Sequence, residues 1–184
     1  MYVRITEPID RRASDGVITL TYEEHMLLDG NSYLYSSFTS SLSTGASIDK
    51  QLHTSSDYDF LSEYVNISCN QIVKYELYED TLFSTTGITI LPIINRNRNS
   101  TKILQSRLYS DAVVSTASTD LGILLRTMIF GAGTLLAPLT GVGKDDIGIH
   151  FKKDTDYLVR MTNIGTGTVT ALNFIASVYE LQTT

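Results

Sequence analysis

From Val65 to Leu77, one parity holds Val65, Ile67, Cys69, Gln71, Val73, Tyr75 and Leu77, and six of these seven residues are apolar. The other parity holds Asn66, Ser68, Asn70, Ile72, Lys74 and Glu76 and is mostly polar. A period of two is the strand period, because successive side chains leave a sheet on opposite faces, whereas a helix repeats every 3.6 residues. A chain with such a segment must bury one face of a sheet. Thirteen residues would extend roughly 43 Å, longer than ordinary strands, so a bulge or break is expected near Gln71.

The same alternation recurs along the chain. After the turn signal Asp29-Gly30-Asn31, Tyr33, Tyr35, Ser37 and Thr39 alternate with Leu34, Ser36 and Phe38. The chain looks sheet-like from Tyr22. Ser41–Ala46 reads as a turn around Gly45, with Ser47–His53 placed to pair back as the next strand. Further strands are expected over Ile88–Ile94, where Pro92 favours an edge or a bulge, and over Lys102–Tyr109. Asp111–Thr119 reads as irregular or weakly extended. Leu121–Phe130 fits a buried strand or a short helix, and periodicity does not choose between them. Ala137–Gly143, with a proline and two glycines, reads as loop. Near the C-terminus, Tyr157, Val159 and Met161, then Leu172, Phe174, Ala176 and Val178, mark two strands around the glycine-rich turn Asn163–Gly167, which predicts a hairpin.

Many short strands without a convincing long helix indicate an all-β chain, a jelly-roll-like β-sandwich over residues 21–184. Residues 1–20 read as an N-terminal arm or linker: a short strand over Met1–Thr6, then the loop Glu7–Gly16 with a proline, several charges and an Asp-Gly turn signal. At 184 residues a core can form without disulfides or metal.

Composition removes several function classes. The net charge of −6 argues against a broad phosphate-gripping surface, so no nucleic-acid partner is expected. No apolar run approaches the ~20 residues that span a membrane, and the first residues lack a signal-peptide core, so a soluble chain without a membrane partner is expected. Cys69 is the single cysteine and lies on the apolar parity, which suits a small core residue rather than a nucleophile. His25, His53 and His150 lack metal-ligand spacing. Asp57-Tyr58-Asp59 and Asp154-Thr155-Asp156 lack the longer spacing of a calcium loop and suit solvated turns. Gly141-Val142-Gly143-Lys144 fails as a phosphate loop, because the first glycine of the motif is missing and Asp145 follows the lysine. No catalytic residue, cofactor or metal is expected, and the chain does not read as an enzyme.

One short tract has a distinct chemical character: Asn95-Arg96-Asn97-Arg98-Asn99-Ser100, directly behind an apolar run. Asparagine tolerates left-handed backbone and bonds its own main chain, and arginine carries five donors in a rigid fork. Such a tract can be a solvated strand end, can brace a corner within the subunit, or can grip a neighbouring chain.

The stretch Ile94–Ser100 resembles the YNRNRNS segment of a group of tailed-bacteriophage virion proteins. Further likenesses fall in the same order: Leu28–Tyr33, Tyr75–Glu79, Asp156–Asn163 and Val178-Tyr179-Glu180, spanning about residues 25 to 181. The chain departs from that pattern at Ile94, where the group has Tyr, and at Tyr179, where Trp is common. The resemblance implies a capsid decoration or cement protein. Such a protein binds the outside of the head, has the major capsid protein as partner, commonly works as a homotrimer at capsomer junctions, and is made in the bacterial host cytoplasm. The alternatives are a head-fibre base or tail-associated structural protein, or a carbohydrate-binding β-sandwich module, which the 11 tyrosines would permit.

Overall fold

The computed structural model describes residues 3–4, 19–115, 118–131 and 148–182. The loop expected over Glu7–Gly16 and the one over Ala137–Gly143 lie outside the described residues. A two-stranded ladder pairs β1 (Val3–Arg4) with β2 (Thr19–Leu20). Helix α1 (Tyr22–Leu28) follows, then β3 (Ser32–Thr39), β4 (Ser47–His53), β5 (Tyr58–Cys69) and β6 (Val73–Glu79). A long excursion carries β7 (Phe83–Thr85), β8 (Ile93–Asn95), β9 (Arg107–Tyr109) and β10 (Val113–Val114). After a 3-10 turn at Ser118–Leu121 come β11 (Ile123–Phe130), β12 (His150–Phe151), β13 (Asp156–Asn163) and β14 (Leu172–Gln182).

Two five-stranded antiparallel sheets hold most of these strands. Sheet I has the order β11-β6-β13-β4-β9, and sheet II the order β12-β5-β14-β3-β8. Without β8 and β9, the remaining eight strands have the jelly-roll order, two four-stranded sheets between which the chain passes repeatedly. The excursion between β6 and β11 adds β8 beside β3 and β9 beside β4, so it covers the same lateral side of both sheets.

The core lies between the sheets. Val73, Tyr75, Leu77, Tyr157, Val159 and Met161 come from sheet I and meet Ile67, Leu172, Phe174 and Val178 of sheet II, all buried. Phe151 of sheet II packs edge-on against Tyr157 of sheet I with ring centroids 4.7 Å apart. The Val65–Leu77 alternation is thus the inner face of β5 and β6. The expected break is present: β5 ends at Cys69, β6 begins at Val73, and the two lie in different sheets. One parity continues across the break because both strands turn it toward the same core.

Several local expectations need correction. The segment from Tyr22 is helical, because Thr21 and Glu24 form a capping box: Glu24 N donates to Thr21 Oγ1 and Thr21 N to Glu24 Oε2. The hairpin expected around Asn163–Gly167 does not form: β13 pairs with β4 and β6, and β14 with β3 and β5. The connection crosses the sandwich and is held midway by a two-way backbone pair between Leu42 and Val169. β3 and β4 likewise separate into different sheets rather than pairing back. Finally, the strands expected over Ile88–Ile94 and Lys102–Tyr109 shrink to β8 and β9, three residues each, with an isolated bridge from Ile90 to Tyr109. Of Leu121–Phe130, Leu121 ends the 3-10 turn and Ile123–Phe130 is a strand paired along the length of β6, but it is largely exposed rather than buried, because it is the outermost described strand of its sheet.

Candidate functional site

The Asn/Arg tract begins at the end of β8 and turns against the C-terminus of α1. Its alternation has a local cause. Asn95 Oδ1 accepts from the amide of Asn97 at 2.9 Å, Asn97 Oδ1 from the amide of Asn99 at 3.1 Å, and Ser100 Oγ from the amide of Lys102 at 3.1 Å. Each of these side chains closes a turn onto the amide two residues ahead. The other ends of the two asparagines reach the helix terminus: Asn97 Nδ2 donates to Leu28 O at 2.8 Å, and Asn95 Nδ2 to Gly30 O at 3.0 Å. Carbonyls at a helix end have no partner within the helix, and the tract supplies it. The approach is close enough that Gly30, at φ +70°, has no room for a Cβ, which would lie 2.1 Å from Ser100 Oγ.

Arg96 extends from this corner across the outer face of sheet II. Its Nη1 donates to Ser32 Oγ on β3 at 3.1 Å, to Ser177 Oγ on β14 at 3.2 Å and to Glu63 Oε2 on β5 at 2.9 Å. Ser177 Oγ also donates to Glu63 Oε2. One guanidinium therefore ties three neighbouring strands to the loop after a fourth. Glu63 can reach because β5 carries a bulge there: Ser177 pairs with Tyr64 and Val178 with Ser62, leaving Glu63 as the extra residue. Arg98 and Asn99 are exposed, and Arg98 has no polar partner among the described residues. The structure thus joins Asn95, Arg96, Asn97 and Ser100 in one intramolecular corner and leaves Arg98 and Asn99 facing outward.

Glu63, Ser177 and Ser32 were not singled out by the sequence. A signal for Glu63 exists. The inward apolar residues of β5 are Phe60 on even numbering and Val65, Ile67 and Cys69 on odd numbering, so the parity slips between them.

The remaining candidate groups stay apart. Nε2 of His25 lies 3.4 Å from Asp29, Nδ1 of His53 lies 3.0 Å from Asp156, and Nε2 of His150 lies 3.4 Å from Asp59. Among the described residues no group of three or more His, Cys, Asp or Glu side chains is placed to hold a metal. Cys69 is buried and donates to Gln71 O at 3.0 Å, and burial pushes its thiol pKa up. No helix of the described residues is long and apolar enough to cross a membrane.

No family model, curated protein or solved structure matches the chain.

Two surface features stand out beside the corner. The first is the edge of β11, which pairs only with β6 among the described residues. Of the four sheet edges, those at β8, β9 and β12 are three, three and two residues long, whereas β11 has eight. Natural edge strands avoid stray pairing by being short, charged or covered. β11 exposes Ile123, Leu124, Leu125 and Ile129, and Arg126 is its only charged residue. The second is a cleft of about 340 Å³ at one end of the sandwich, lined in part by Tyr33, Tyr58 and Glu180.

Proposed function

We propose that the protein is a structural virion protein, a decoration or cement protein that binds the outside of a bacteriophage capsid. In this reading it works as a homotrimer at capsomer junctions, and its partner is the major capsid protein. The observation that carries the reading is the β11 edge, which no strand of the described residues covers. Its outer backbone groups, unpaired among the described residues, and four exposed apolar side chains are what a chain needs to complete a sheet with a neighbouring subunit. The resemblance of Ile94–Ser100 to a phage-coat motif supplies the kind of assembly. The jelly roll is shared by viral coat and sugar-binding domains, so the fold supports the class without choosing within it.

The mechanism is mechanical. Interface buried only in the intact shell stabilises that shell by mass action, and repetition over a lattice multiplies weak contacts. The Asn/Arg corner contributes indirectly, by fixing the subunit shape that the lattice requires.

The test mixes purified protein with expanded empty heads that lack it, followed by sedimentation and thermal disruption of the shells. Stoichiometric co-sedimentation and a raised disruption temperature are expected. Ile129→Lys, at a side chain 65% exposed, should abolish binding while shifting subunit stability by no more than ~0.5 kcal/mol. Failure to bind heads, with binding to tails instead, would move the protein to the tail-associated class. Undiminished head binding by Ile129→Lys would remove β11 as the contact.

A further inference from the structure

The inner face of sheet II changes character at one end. Along β14 the inward residues run Leu172, Phe174, Ala176 and Val178, all buried and apolar, then turn polar at Glu180 and Gln182. On the neighbouring strands Tyr33 and Tyr58 stand at the same end. The segment carrying Lys102 and Gln105 closes over them and leaves the cleft of about 340 Å³.

The polar groups there are held in place yet not used up. The carboxylate of Glu180, 3% exposed, accepts from the amides of Gln105 at 2.6 Å and Ser106 at 2.8 Å, which fixes the roof of the cleft. Lys102 Nζ is held by Asn31 Oδ1 at 2.9 Å. Gln105 Nε2 bonds Ile103 O at 3.0 Å, leaving its side-chain oxygen to accept. Tyr33 is 3% exposed and lines the cleft, but its hydroxyl has no hydrogen-bond partner among the described residues. The hydroxyl keeps contact with the solvent of the cleft, so water satisfies it until a ligand takes that place. Burial, Glu180 and Tyr58 push the Tyr33 pKa up to about 12, so the hydroxyl stays neutral and both donates and accepts.

We propose that this cleft binds a neutral carbohydrate, one or two sugar rings in size. Tyrosine hydroxyls and glutamine amides donate and accept, which matches the dual character of sugar hydroxyls. The half-buried ring of Tyr58 offers a flat apolar face for the CH side of a pyranose. The buried Glu180 carboxylate disfavours an anion, and Lys102 disfavours a cation, so a neutral ligand fits both. The volume lies at the small end of ligand pockets, which suits a saccharide and excludes a long peptide. The cleft is formed by sheet II and the roof segment, apart from β11, so the proposal stands whether or not the protein sits on a capsid.

The experiment uses the full chain and a panel of neutral sugars, namely maltose, cellobiose, lactose and N,N′-diacetylchitobiose. Saturation-transfer NMR and calorimetry are read on wild type, Tyr33→Phe and Tyr58→Ala, each checked for folding by its melting curve. At least one sugar should bind saturably, with a dissociation constant on the order of 1 mM. Tyr33→Phe, which removes only the hydroxyl and keeps the packing, should weaken it roughly three- to tenfold, as the loss of one neutral hydrogen bond implies. Tyr58→Ala should remove the saturation transfer to the pyranose ring protons. The proposal is overturned if no sugar of the panel binds, or if binding is the same in Tyr33→Phe as in wild type.

Discussion

Replacing Arg96 by alanine tests the corner most sharply, because Arg98 two residues away provides an internal control. Arg96 Nη1 makes three hydrogen bonds, to Ser32, Ser177 and Glu63. Ser32 and Ser177 are fully buried, and the Glu63 side chain is only 15% exposed. Breaking a fully buried ion pair costs about 3–5 kcal/mol, because one charge is left without compensation. An exposed pair contributes about 0–1 kcal/mol. The Arg96 side chain is 34% exposed, so water screens part of the interaction. The loss should fall between these limits, at about 2 kcal/mol. For a domain of this size that lowers Tm by roughly 4–8 °C. Arg98→Ala, at an exposed side chain with no polar partner among the described residues, should stay within ~0.5 kcal/mol of wild type. Urea denaturation of both variants measures the difference. A cycle with Glu63→Gln isolates the pair and should give a coupling energy above ~0.5 kcal/mol. Equal costs for the two arginine variants, or no coupling between Arg96 and Glu63, would refute the intramolecular brace.

Gly30→Ala should destabilise the chain by more than ~2 kcal/mol, because it adds left-handed strain of ~1–2 kcal/mol to a clash with Ser100. Adding Ser100→Gly should relieve the clash, leaving the backbone term and the lost Ser100–Lys102 turn bond, as read by urea midpoints. Glu180→Gln should cost about 2–3 kcal/mol, because an amide NH2 then faces the amide of Gln105 or Ser106. Hydrogen exchange at those two amides should rise well before the rest of the sheet. Stability should also fall in alkali. In the unfolded chain tyrosine titrates near 10, whereas burial raises Tyr33 to about 12 and Tyr35 well above its usual value. The unfolded state therefore loses protons first. The contribution is complete below about pH 10 and is lost as pH rises through about 12. Tyr33→Phe should flatten that decline in urea midpoint against pH.

The fold was legible where one face of a strand is wet and the other dry. The alternation in Val65–Leu77 and the turn at Gly45 both correspond to observed elements, because burial on one side leaves a period in the sequence. What could not be read was which strand pairs with which. A short glycine-rich turn such as Asn163–Gly167 looks the same whether it closes a hairpin or crosses a sandwich. The choice is made by β14 finding β3 and β5, more than 100 positions away. Helix α1 was legible in principle, since Thr21 and Glu24 spell a capping box, but seven residues are too few to impose a helical period. Of the site, the corner-forming chemistry of the asparagines was visible. The partners of Arg96 were not, because Ser32, Glu63 and Ser177 converge only once β3, β5 and β14 lie side by side and a bulge turns Glu63 outward.

The proposed capsid role is tested most directly by a cryo-microscopy map of the phage particles that it implies. The expected result is jelly-roll density on the outer surface of the capsid at capsomer junctions, with β11 against a neighbouring subunit and the Asn95–Ser100 corner within its own. Density on the tail, a head that lacks the chain altogether, or β11 facing open solvent at every site would contradict it.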